Sequence, residues 1–300
     1  MHCLIVGAGL IGASLAWRLA QRGHVITLAD SDRFCGEASH AGAGMLSPDG
    51  ERFPDALWAQ RARQSLELYP GFVAELEGES GRAIDYLTCG AIEGDRTFPH
   101  EAIVDPRHLA DALRRALGRY PVQILEYRAI TTVEAMNGRI TADGVEAEAA
   151  VIAAGAWSGN ISVNGQLLPA TVPVKGYLLG YRGAPMLGPI RRDRHTYILQ
   201  RSNGYTIAGS TEQTIGYSRG IDADLVADLR ERAGLLWPPL AALEPTDVWT
   251  GLRPSTASGR IYTERHGDGP VWLAYGHYRN GILLSPWTAN HLANELSILP

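Results

Sequence analysis

Residues 4–30 read LIVGAGLIGASLAWRLAQRGHVITLAD, and the order of features in this stretch decides the fold. An apolar run, Leu4 to Val6, leads into Gly7, Gly9 and Gly12 at G-x-G-x-x-G spacing. Ala13 to Gln21 then has helical character, Val25 to Ala29 reads as a second strand, and Asp30 closes the unit. Strand, turn, helix, strand and terminal acid in this register make a cradle for an adenine dinucleotide. Gly7 permits the tight turn, Gly9 lets backbone approach a pyrophosphate, and Gly12 lets the helix sit close on the sheet. Free N–H groups at the positive end of the helix dipole would face the phosphates, and Asp30 would accept from ribose hydroxyls. The stretch alone leaves the nucleotide open between NAD and FAD.

Three hundred residues, 45% of them hydrophobic, can bury a large core as one large domain or two intertwined ones. The net charge is −5 and Lys175 is the sole lysine among 27 basic residues, so no basic excess draws in nucleic acid. No apolar run approaches the roughly 18 residues of a membrane span, and a first strand expected from about His2 leaves no room for a signal peptide. The expectation is a cytoplasmic chain with no membrane partner. Cys3, Cys35 and Cys89 are odd in number and form no C-x-x-C pair, which argues against a disulfide framework or a zinc site. Buried structural thiols and no metal are expected.

After Asp30, small residues dominate from Gly36 to Met45, as backbone passing close to something bulky requires; a flat cofactor ring is one candidate and a plain connecting loop the alternative. Asp55 to Glu77 has helical spacing, with Pro70 expected to kink or divide it. Residues 83 to 104 suggest short strands. Asp105-Pro106 caps a helix running to Leu117. Strands are expected at 122–125, 130–135, 139–142 and 148–153, with Asn137-Gly138 as a hairpin turn and AAGAWSG, 153–159, bringing the chain back to a nucleotide site. Between Pro173 and Gly251 the pattern becomes β-rich (177–181, 197–200, 205–208) around one helix, Ala223 to Leu236. A strand at 271–274 and an amphipathic helix from Gly281 to Leu296 close the chain.

The unit at 4–30, together with AGAGMLSP (41–48), VDPRHL (104–109), VIAAGAWSG (151–159), PVKG (173–176), WTGLRP (249–254) and GHYRNGILLSP (276–286), resembles the D-amino-acid oxidase superfamily of flavoproteins. Within it the chain is most similar to the glycine oxidase group. The resemblance covers nearly the whole chain in the family's order. It implies FAD rather than NAD, and an α/β fold in which a Rossmann-like FAD-binding domain is interleaved with a mainly antiparallel β substrate-binding domain. The FAD-binding domain is assigned to 1–82, 104–165 and 254–300, and the substrate-binding domain to 83–103 and 166–253. FAD would be held by Gly7, Gly9, Gly12 and Asp30, then Ser39, His40, Gly44, Met45, Ile130, Gly155 and Trp157, and finally His277, Asn280, Gly281 and Ile282.

The implied activity is oxidation of glycine or another small amino acid or amine by hydride transfer from Cα, with O2 reoxidising the flavin to give H2O2. A supply of imine to thiazole formation for thiamine is suggested by the same resemblance. Arg253, in GLRP, matches the family's carboxylate-binding arginine, a role its planar fork suits. Tyr197 matches the active-site tyrosine, and Arg279 a second pocket arginine. His195 falls where relatives place a histidine near the pocket, and Glu212 falls at a pocket position that is apolar in at least one glycine oxidase. The last helix, starting at Asn280-Gly281, would aim its N–H groups at the pyrimidine oxygen of the ring.

The chain departs from the family in two places. The segment between Gly90 and Asp105 is shorter than in relatives, which bears on access to the pocket. Ser258-Gly259-Arg260-Ile261-Tyr262 lacks the acid and proline that usually follow GLRP. Two rival readings stay open: a dehydrogenase passing electrons to a quinone or carrier, and a flavin-binding protein without turnover. Self-association as a homo-oligomer is also left open.

Overall fold

The alternation within His2–Val6 sets the layers. Successive strand side chains leave opposite faces, so Cys3 and Ile5 enter one apolar core while Leu4 and Val6 enter another. In the computed structural model, which describes residues 1–297, this strand lies inside a six-stranded sheet. The order is Tyr262–Arg265, Val271–Tyr275, Ala149–Ile152, His2–Val6, Val25–Ala29, Val122–Leu125, parallel except for the first strand. Four helices, Leu10–Gln21, Ala56–Ser80, Pro106–Leu117 and Gly281–Leu296, contribute to the first core. A five-stranded layer built on Thr132–Met136 and Arg139–Ala142 covers the other face.

A seven-stranded, mostly antiparallel sheet stands beside this sandwich. Its order is Asp247–Thr256, Thr171–Tyr181, Thr206–Gly209, Tyr197–Gln200, Ile190–Arg192, Ala91–Glu93, Arg96–Phe98. Tyr177, Leu179 and Tyr181 pack under the helix Ala223–Leu236, whose Asp222 cap accepts from the amides of Asp224 and Leu225. The intervening Gly176 and Leu178 face a cavity between the sheet and the first sandwich. Met45–Leu46, Ala102–Val104 and Tyr86–Leu87 form a small three-stranded sheet.

Several elements differ from the sequence expectation. The first helix begins at Leu10 rather than Ala13, because Gly9 already serves as its N-cap. Ala56–Ser80 is continuous through Pro70, which sits exposed on its solvent side, so the carbonyl that loses a partner there is near water. The strand expected at 177–181 runs from Thr171. Pro173 and Pro254 face each other across the pair, so two missing donors coincide at one register position. The strand expected at 148–153 is Ala149–Ile152, and an additional strand, Val145–Ala147, precedes it in a different sheet. The stretch 31–48 contains a short helix, Ala38–Ala41, before Met45–Leu46. The last helix is buried around much of its circumference rather than amphipathic.

That last helix carries Pro286, which has no N–H for the carbonyl of Ile282 one turn back. The helix Ala56–Ser80 fills the gap. Tyr69 Oη donates to Ile282 O at 2.5 Å, as does Ser285 Oγ at 2.9 Å. Ser65 Oγ donates to Leu283 O at 2.6 Å and accepts from Trp287 N at 3.2 Å. The start of the helix is thereby fixed at the cavity. Tyr69→Phe should destabilise the fold by about 0.5–1.5 kcal/mol, the net value of one hydrogen bond, because Ser285 still donates to the Ile282 carbonyl. In a Pro286→Ala background, where residue 286 supplies its own N–H, the same change should cost less; equal costs in a urea-unfolding double-mutant cycle would refute the link.

Candidate active site

One continuous cavity of about 620 Å³ runs from Gly7 and Asp30, past the short helix at Ala38–Ala41 and the loop at 153–157, to Tyr197, Arg253 and Arg279. At its first end Gly7 adopts φ +109°, and a Cβ there would meet Ala153 and Ala154 backbone. A Cβ on Gly12 would strike the carbonyl of Gly7, so Gly12 is a packing glycine inside the turn and does not line the cavity. Gly9 does line it. The helix above has no acid in its first turn and no side-chain cap from Gly9, while Ser39 Oγ accepts from Leu10 N at 2.9 Å.

Asp30 lines the cavity, and its carboxylate accepts from Ala8 N at 2.6 Å and Asp32 N at 2.9 Å. Each oxygen keeps a second lone pair. Burial pushes this carboxyl above the ordinary aspartate value, and the two backbone donors oppose that shift. Ser39, Gly44, Met45, Ile130, Gly155, Trp157, His277, Asn280, Gly281 and Ile282 also line the cavity. His40 does not. It turns to the other side of its short helix, into a separate pocket of about 160 Å³ with Arg107 and Trp249. His277 Nε2 lies 3.1 Å from Thr288 Oγ1, and burial pushes its pKa down to about 3, so the ring is neutral near pH 7. The last helix opens at the wall, and the side chain of Asn280 makes no capping bond to its first-turn amides.

The far end is built on glycine. A Cβ on Gly176 would meet the Arg253 guanidinium, and one on Gly209 would meet the Tyr197 ring at 2.5 Å. Each bare backbone gives a flat side chain room to lie across the sheet. Arg253 Nη1 donates to Thr211 O at 3.0 Å and Nη2 to Ser210 Oγ at 2.7 Å. Burial lowers its pKa, and among the described residues no carboxylate oxygen lies within 4.0 Å of it. Tyr197 is raised by burial, with Arg253 and Arg279 pulling the other way. Arg279 Nε lies 3.2 Å from Glu51 Oε2, and Nη1 lies 2.8 Å from Glu212 Oε1. Burial works against the Arg279 charge, but Glu51, Tyr197 and Glu212 outweigh it and raise its pKa. His195 is exposed and absent from the lining.

Glu51 was missed by sequence reasoning. It lies in the polar loop after AGAGMLSP, and only its burial against Arg279 distinguishes it from a surface acid. Asp32 and the Glu37–Arg219 pair in the wall were likewise invisible, since they become neighbours only when the loop near residue 219 folds over.

A glycine-rich cradle of dinucleotide-binding type shares one cavity with a half-buried, carboxylate-free arginine, an arrangement suited to a nucleotide-dependent enzyme. The chain belongs to the DAO family of FAD dependent oxidoreductases, whose profile it matches over residues 2–97 and 91–295. FAD is therefore the cofactor, and the glycine cradle, the first helix with no acid in its opening turn and the length of the cavity fit it. The chain is 30% identical over 95% of its length to the bifunctional protein ThiO/ThiG of Synechocystis sp., of which it spans half. It is 27% identical over 98% of its length to glycine oxidase of Bacillus licheniformis, covering 92% of that protein. The crystal structure of glycine oxidase from Geobacillus kaustophilus superimposes with a TM-score of 0.92 at 27% identity, covering 98% of this chain and 94% of that one. No helix among the described residues is long and apolar enough to cross a membrane, and no cluster of three or more His, Cys, Asp or Glu residues there could hold a metal ion.

Gly176→Ala should press on the guanidinium and leave the cradle untouched. Flavin content should then stay within about twofold while affinity for a small carboxylate falls about tenfold or more. Unchanged carboxylate affinity, measured by flavin absorbance titration, would show that the glycine is not needed for the placement of Arg253.

Proposed function

We propose that the protein oxidises glycine or another small amino acid or amine at Cα, with O2 as the final acceptor and H2O2 and an imine as products. The observation that carries this is Arg253, a half-buried guanidinium in the wall of a flavin-sized cavity, with no carboxylate within salt-bridge distance among the described residues. A charge partly withdrawn from water without a counter-charge is costly, and a substrate carboxylate at that point would offset the cost. Two of its five N–H groups are used by Ser210 and Thr211, and the remaining three are free to make a bidentate contact.

FAD, when bound, supplies the hydride acceptor. Every other task falls to the chain. Arg253 binds the carboxylate, and the Tyr197 hydroxyl, held neutral by its raised pKa, donates to the same group. Together they orient Cα toward the middle of the cavity, which converts binding into alignment of the C–H bond. Gly7, Gly9 and the first-turn amides hold the pyrophosphate, Asp30 the ribose, and Asn280, Gly281 and Ile282 the ring end. The uncapped start of the last helix favours negative charge beside it. Residues 1–82, 104–165 and 254–300 serve the cofactor in this reading, and 83–103 and 166–253 the substrate, with the join at 253/254 inside the strand Asp247–Thr256. The names of the relatives, glycine oxidase and ThiO/ThiG, support an amino-acid substrate, and a role in thiazole formation for thiamine follows from the same likeness.

A peroxide-coupled assay with glycine, sarcosine and D-alanine tests the activity directly. At least one should turn over, and Arg253→Ala should lower kcat/KM about 100-fold or more, the loss of a charge-assisted bidentate contact. If none of the three bleaches the flavin anaerobically, the activity is wrong. Reduced flavin that forms but persists in air would instead indicate a dehydrogenase with another acceptor. Asp30→Ala should weaken flavin retention by about tenfold or more without changing KM in the fully loaded enzyme, as the loss of a ribose contact and of the anchor for the Ala8 amide requires. Full retention after ultrafiltration would contradict its role.

A further inference from the structure

Two guanidinium groups reach the substrate end of the cavity, and their charges are balanced unequally. Arg253 has Ser210 and Thr211 for partners. Arg279 has two carboxylates, Glu51 at 3.2 Å and Glu212 at 2.8 Å. The acids come from separate parts of the chain, Glu51 from the loop after the turn Pro48–Gly50 and Glu212 from the segment after the strand Thr206–Gly209. Glu51 lines the cavity with its side chain 11% exposed, whereas the Glu212 side chain is 50% exposed.

The consequence lies in the charge count. Two guanidinium and two carboxylate groups leave this end neutral before substrate arrives. One carboxylate on Arg253 makes it singly negative, which the substrate's own ammonium, while protonated, offsets. A second carboxylate would find the charge of Arg279 already matched, by Glu51 in the cavity wall and by the half-exposed Glu212 at its rim, and would meet Glu51 where like charges a few ångströms apart repel. Without these acids Arg279 would be a second anion site beside Arg253, and dicarboxylates would fit.

We propose that Glu51 and Glu212, by occupying Arg279, set the charge class of the substrate: monocarboxylate amino acids or amines with neutral or cationic substituents are accepted, and compounds bearing a second carboxylate are excluded. The proposal rests on Arg253 as the carboxylate clamp. Glu212 is the better handle because it is half exposed, so Glu212→Gln removes charge, keeps shape and leaves no buried group stranded. Glu51→Gln is the stronger but riskier change.

The test uses flavin-loaded protein, with acetate and malonate as probes, titrated by flavin absorbance and repeated by calorimetry. The wild type should bind acetate at least about tenfold more tightly than malonate, and Glu212→Gln should narrow that ratio about tenfold through a gain for malonate, with acetate changing less than about threefold. Glu51→Gln, if it loads flavin, should act in the same direction. A ratio unchanged in Glu212→Gln, or a wild type that prefers malonate, overturns the charge selection. Arg253→Ala separates the two claims. Acetate binding lost in that variant together with an unchanged ratio in Glu212→Gln sinks only the charge selection. Acetate binding that survives Arg253→Ala sinks the clamp, and the charge selection with it.

Discussion

The structure at the substrate end turns on the burial of one guanidinium. Arg253 lies on a strand pair, Thr171–Tyr181 with Asp247–Thr256, and is flat against Gly176 where any other residue would collide with it. Its donors are engaged by a hydroxyl and a carbonyl, which satisfy hydrogen bonds but not charge. Partly desolvating a cation without an anion is unfavourable, so in the proposed reading the fold carries a local cost that a substrate carboxylate would remove. In the proposed reading stability is traded for affinity at this point, and the neutral frame around it, with Arg279 matched by two acids and His277 uncharged, would keep the attraction specific to one position.

Two separately built halves must meet for that affinity to serve chemistry. The nucleotide cradle hangs on the parallel sheet, whereas Arg253 and Tyr197 belong to the antiparallel one. What joins them is rigid packing. Pro286 opens the last helix, and Tyr69 and Ser65 close the gap from the helix Ala56–Ser80, so the amides at Gly281 and Ile282 are held at a fixed height. Arg201, itself buried, donates to the carbonyls of Val104 and Ala43 and so ties the antiparallel sheet to the cofactor-side loop. Such cross-links keep distances between the halves short and constant, as alignment of a reacting bond demands.

The legible parts of the sequence were those with local periodicity or a strict backbone requirement. Gly7, Gly9 and Gly12 are legible as a turn from their spacing, with no room for a side chain at Gly7 or Gly12, and Asp105-Pro106 is legible as a helix start. Placing Arg253 and Tyr197 at one site depended on family motifs, since nothing in their local spacing brings residue 197 beside residue 253. His40 lies between lining residues in sequence yet outside the cavity, because one helical step turns its side chain about 100° from Ser39. Glu51 and Glu212 could not be read as a pair at all, because the contact they share is made through Arg279, far from both along the chain. Pro70 looks like a break and is not, since solvent takes up the missing donor, and the strand pair runs through Pro173 because a facing proline shares its register position.

The central claim is that Arg253 is where the substrate carboxylate binds. A crystal structure of the flavin-loaded protein with glycolate, a small carboxylate lacking an amine, tests it most directly. The account predicts both carboxylate oxygens within hydrogen-bond distance of the Arg253 guanidinium, with Arg279 still paired to Glu51 and Glu212. Glycolate seated on Arg279 with its acids displaced, or bound away from Arg253, would contradict it.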